Sequence, residues 1–86
     1  METKMFYTLI KRDAVIGKNK IPINEYARGV IYGLMTAYSE ENKRYSIMPS
    51  NDGFVLRMVG NEKQYAYFKN TVENIYPDVC VFNYEI

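Results

Sequence analysis

The side chains that ordinarily do chemistry near neutral pH are scarce in this chain. It has one cysteine and no histidine, so the usual general base is missing and Cys80 has no evident neighbour to lower its pKa. Cys80 lies within Val79-Cys80-Val81-Phe82, where a thiol behaves as a small hydrophobe, and a single cysteine cannot close an intramolecular disulfide. A metal would have to rely on carboxylates alone, and these are scattered or, at Glu40-Glu41, adjacent where a helix should end. Gly53 and Gly60 flank a strand-like run and read as turn residues, not as a phosphate-cradling loop. The expectation is a chain with no catalytic residues, no metal and no cofactor, hence no enzyme.

The elements that must position the remaining side chains follow from patterning. Eighty-six residues, 48% hydrophobic and 24% charged, make one domain spanning 1–86 with a single core. Met5 to Ile10 is an apolar, aromatic and β-branched run expected as a central strand. Residues 12–24 form a long connection with turn signals at Gly17-Lys18-Asn19, Val15-Ile16 and Ile21-Ile23 suggesting a small hairpin. Asn24 is placed to cap a helix whose apolar positions are Ala27, Val30, Ile31, Leu34 and Tyr38, with Tyr26, Met35 and Ala37 on the same broad face. Gly29, Gly33 and Ala37 recur every fourth residue along its edge, and two interior glycines imply close backbone approach, by the protein's own sheet or by a partner. A short strand Arg44–Met48 should stop at Pro49, and Asp52-Gly53 turns the chain into a strand Phe54–Val59. Asn61 with Gln64 has the form of a capping box opening a second helix with Tyr65, Phe68, Val72, Ile75 and Tyr76 buried, which Pro77 ends. Val79 to Ile86 is a last strand.

That order predicts an α+β fold of the ferredoxin-like βαββαβ type, a four-stranded antiparallel sheet with two helices on one face. Such a fold hosts unrelated activities. The chain has nothing like the Gly-rich first loop and arginine of acylphosphatases. Gly53-Phe54 resembles the pair that opens the third strand of RNA-recognition motifs, but exposing Phe54 would expose Leu56 and Met58 and drive Arg57 into the core. Phe54, Leu56 and Met58 are therefore assigned to the core and Arg57 to the open face, which removes the aromatic stacking platform.

Charge gives no global recruitment, since 11 basic and 10 acidic residues leave +1. Locally, Lys4, Lys11, Arg12, Lys18 and Lys20 against Glu2 and Asp13 make the first twenty residues +3, whereas residues 61–86 carry −2 (Lys63 and Lys69 against Glu62, Glu73, Asp78 and Glu85). No run approaches the ~20 apolar residues of a membrane span, and the expected setting is cytoplasmic. Arg28, Tyr32 and Thr36, stacked on the predicted polar side of the first helix, and Tyr67 on the second helix, are the candidate partner-binding residues, Arg and Tyr being interface anchor types. Lys11, Arg12, Lys18 and Lys20 form a candidate basic contact.

The function expected is a small protein-binding module, an inhibitor or adaptor that occludes a partner's surface. Small size and a composition rich in Lys, Asn, Ile and Glu also suit a phage or mobile-element antagonist of a host protein, of anti-defence or anti-CRISPR type. The alternatives are a nucleic-acid-binding accessory protein using the basic 11–20 loop and, third, a small ferredoxin-like enzyme. The Val79–Ile86 edge, which carries only Glu85 as a charge, favours a homodimer by strand pairing.

Overall fold

Alternation along the first strand organises the sheet. The computed structural model describes residues 2–40 and 47–85, and in it Lys4–Lys11 (β1) pairs antiparallel with Gly53–Gly60 (β5) over eight residues, from Lys4 opposite Gly60 to Lys11 opposite Gly53. On its other side β1 pairs antiparallel with Cys80–Phe82 (β6), and Ile47–Ser50 (β4) completes the sheet against β5. The strand order is β4-β5-β1-β6. A separate two-stranded hairpin, Val15–Ile16 (β2) with Ile21–Pro22 (β3), occupies the predicted connection. The fold is α+β: one four-stranded antiparallel sheet and two helices, Glu25–Tyr38 (α1) and Glu62–Ile75 (α2).

Both helix starts follow their cap chemistry. The Asn24 side chain accepts from Ala27 N–H at 2.9 Å, and Asn61 and Gln64 exchange reciprocal bonds of 2.9 and 2.7 Å in a full capping box. Ile10, Leu56 and Met58 from the sheet meet Ile31, Met35, Phe68 and Val72 from the helices in the core, with Ala14 and Val79 closing it. Leu56 and Met58 are buried while Arg57 faces outward opposite Tyr7, as alternation requires.

One polar knot is built into this apolar layer. Thr8, buried on β1, shares a hydrogen bond of 2.8 Å with the Tyr65 hydroxyl, which also donates to the Tyr7 carbonyl and accepts from Asn83 N–H at 2.9 Å. The Tyr65 ring is stacked 4.3 Å from Phe6 and meets Phe82 edge-on. A buried hydroxyl with these partners ties α2, β1 and the chain after β6 together.

Five expectations are corrected, the first being that Ile75, expected in the buried stripe of the second helix, is exposed at its last position. The last strand is three residues long, because Asn83 adopts φ 54 and turns the chain so that Tyr84 N–H bonds to Tyr7 O; asparagine tolerates this left-handed conformation better than most residues. Pro49 lies inside β4 and does not stop it, since β4 is an edge strand where a missing N–H can face solvent; of the strand expected at 44–48, residues 44–46 lie outside the described residues. The first helix is rotated from its predicted setting. Its buried stripe is Ala27, Ile31 and Met35, flanked by Tyr32, Leu34 and Tyr38, so Tyr26 and Ala37 turn to solvent. Finally, Gly29 and Gly33 are exposed, and among the described residues a Cβ added at either would meet nothing within 4 Å outside the helix's own turns. The sheet does not approach them.

Candidate functional site

The end of the sheet where β1 leaves and β5 begins gathers most of the cations of interest. Gly53, at φ 144, lets the Asp52-Gly53 turn close against β1, where a Cβ would strike Ile10 O and stand 2.8 Å from Arg12 N. Arg12 N–H donates to Asp52 O at 2.9 Å, and its guanidinium reaches Ser50 O at 3.4 Å. From α1, Arg28 crosses the same edge and lays its guanidinium over the half-buried Phe54 ring, 5.2 Å from the centroid. Lys11 completes the group and is paired with the exposed Asp78 at 3.2 Å.

Two clefts open on either side of Arg12. One, of about 210 Å³, is lined by Lys11, Arg12, Arg28, Ser50, Gly53 and Phe54 with Pro49. The other, of about 410 Å³, lies toward the open face of the sheet between Leu9 and Val81 and is bordered by Asp13 and Asp52 as well as by Lys11 and Arg12. On that open face Tyr84 spans from Tyr7 O to the Asp52 carboxylate, to which its hydroxyl donates at 3.0 Å. Leu9 and Val55, paired on the same face, are nearly completely buried although both point away from the helices. The same hydrogen bond to Asp52 raises the Tyr84 phenol above its ordinary pKa.

The residues singled out by sequence are thus redistributed. Arg28 from the predicted helix face and Lys11 and Arg12 from the predicted basic loop meet at one cleft. Lys18 and Lys20 stand apart, exposed on the β2–β3 hairpin. Tyr32 and Thr36 are half-buried, with Tyr32 against the core; the helix rotation that exposes Tyr26 brings them inward. Tyr67 is half-exposed, its ring 6.3 Å from Tyr38 and 6.0 Å from the Lys63 ammonium. Cys80 pairs in register with Ile10, and burial pushes its thiol up to about 12, which leaves it protonated and unreactive at neutral pH.

What the sequence reading missed is that Tyr26, expected on the buried face of α1, stands in solvent beside the glycine strip. Tyr26 is 77% exposed, and Gly29, Gly33 and Ala37 continue its side without a charge. The glycine pair reads in the sequence as a place of close approach by the sheet or by a partner, and of these the described sheet does not supply it. No family model matches the chain, and no curated protein or solved structure matches it significantly. Among the described residues no helix is long and apolar enough to cross a membrane.

Proposed function

We propose that the protein is a small non-catalytic binding module of the ferredoxin-like βαββαβ type that acts by occupying the surface of a partner protein, in the manner of an inhibitor or adaptor. The observation that carries this reading is the outer face of α1. An exposed tyrosine stands beside two glycines that disfavour the helix by ~1 kcal/mol each, and among the described residues nothing outside the helix's own turns comes within 4 Å of a Cβ built at either. Among the described residues those glycines admit no close packing neighbour. A partner surface lying flat on the helix would supply one, with Tyr26 as the rigid aromatic anchor at its rim.

The test compares capture from lysate by wild type, Tyr26→Ala and Gly33→Glu, each with and without nuclease. Gly33→Glu projects a charged side chain into open space and leaves the fold intact, so its melting temperature should not fall. A protein retained by wild type after nuclease treatment and lost by both variants supports the reading. Equal retention by Gly33→Glu, or capture that disappears with nuclease, refutes it and transfers the weight to the basic residues of the 11–20 segment.

A further inference from the structure

The geometry points to a binding site for a single phosphate dianion in the cleft between Arg12 and Arg28, distinct from the α1 face and independent of the reading given to it. Three cations, Lys11, Arg12 and Arg28, line a space of about 210 Å³, and no carboxylate lines it among the described residues. Neither guanidinium has a carboxylate within ion-pairing distance among those residues. Each is nevertheless oriented toward the cleft: Arg12 by a contact of 3.4 Å with Ser50 O, Arg28 by the Phe54 ring beneath it. Two planar donor forks, one on the turn that follows β1 and oriented by a 3.4 Å contact, the other on a helix and seated on a ring, match a tetrahedral oxyanion in a way that a lysine ammonium does not.

Size and surroundings narrow the ligand. The cleft is smaller than the ~300–1,000 Å³ typical of sites that enclose a whole small molecule, so it takes a group and leaves the rest of the ligand outside. The positive region is also short. Asp78 neutralises Lys11 from one side, and Asp13 and Asp52 border the adjoining cleft. A polyanionic nucleic-acid backbone would run from this cleft onto those carboxylates, whereas one terminal dianion would not. The ligand is therefore orthophosphate or the phosphate of a monoester, held by the Arg12 and Arg28 guanidiniums with Lys11 as a third, partly neutralised charge.

The experiment is an NMR titration of the full chain at constant ionic strength with inorganic phosphate, phenyl phosphate, sodium acetate and a single-stranded oligonucleotide, on wild type, Arg12→Gln and Arg28→Gln. Saturable shifts of the Arg12 and Arg28 side-chain N–H groups and of the Gly53 and Phe54 amides with phosphate are expected. Each variant should bind about tenfold more weakly or worse, as loss of a hydrogen bond to a charged group implies, with an unchanged melting temperature showing that it is folded. Tighter binding of phenyl phosphate assigns the site to a monoester, and tighter binding of inorganic phosphate to the free ion. The proposal falls if phosphate shifts do not saturate, if acetate binds as tightly as phosphate, if folded Arg28→Gln and Arg12→Gln both bind like wild type, or if the oligonucleotide binds best with a salt dependence of several phosphates.

Discussion

Replacing Gly29 and Gly33 by alanine should stabilise the protein, singly and additively. Both lie inside α1, both are exposed, and among the described residues an added Cβ meets nothing within 4 Å at either beyond the helix's own turns. The change therefore carries no packing penalty, and only the backbone entropy of glycine is at stake, ~0.8–1 kcal/mol per site in favour of alanine. For a domain of this size that corresponds to a melting temperature higher by about 4–8 °C for each substitution and roughly twice that for the pair. Gly53 provides the internal control. Its φ of 144 and the backbone of Ile10 and Arg12 against its missing Cβ make Gly53→Ala destabilising by several kcal/mol, by steric displacement of β1 from the turn. Thermal unfolding followed by circular dichroism, with denaturant melts to give free energies, measures all four variants. A Gly33→Ala protein that melts at or below wild type would refute the assignment of α1's outer face to open space. If the stabilised double variant also lost its partner, the glycines would be shown to serve contact with that partner at the expense of the fold.

Tyr65→Phe keeps the ring stack with Phe6 but strands the Thr8 hydroxyl and Asn83 N–H, so unfolding in urea should show a loss of about 1–3 kcal/mol. The Cys80 thiol has a folded pKa raised from 9.0 to about 12. Its contribution to stability is therefore fully present below pH 9 and is lost as pH rises toward 12. Melting temperature should fall over that interval, and less steeply in Cys80→Ala than in wild type; Tyr65, also raised by burial, adds to the fall above pH 10 in both proteins. Light scattering at micromolar concentration tests strand pairing through β6. A dimer lost in Val81→Lys supports an edge-to-edge dimer, whereas a monomer in both removes it, and the three-residue length of β6 makes the paired segment short.

The elements with strong local signals were legible in the chain. Asn24, the Asn61–Gln64 box and Asp52-Gly53 each encode their structure within four residues, and strict alternation at Phe54 to Val59 settled which of those side chains face the helices. The rotation of α1 was not legible, because apolar residues surround most of that helix. Tyr26, Val30 and Ala37 carry as much apolar weight as Met35, and Arg28 reads as a solvent marker until the Phe54 ring is there to receive it. The cleft was out of reach for a related reason. Lys11 and Arg12 adjoin each other in sequence, but Arg28 joins them only once β1, β5 and α1 share an edge, and no local pattern announces that meeting. Likewise the short β6 depends on a tyrosine of α2 that captures Asn83 N–H.

The placement of β1 governs how the chain can reach this state as it is made. Its first long segment is the inner strand of the sheet, yet Thr8 finds Leu56 on one side and Phe82 on the other, both far downstream. While the intervening chain emerges from the ribosome at ~5–20 residues per second, Phe6 to Ile10 has no native neighbour for several seconds. The β4–β5 hairpin and α2, whose contacts are local, are then free to form first and serve as the template that β1 joins, with β6 as the closing step. Refolding should accordingly be slower than for a helical bundle of equal length. A nascent chain arrested before β5 has emerged exposes an adhesive strand, which makes early termination more hazardous to solubility than any late surface substitution.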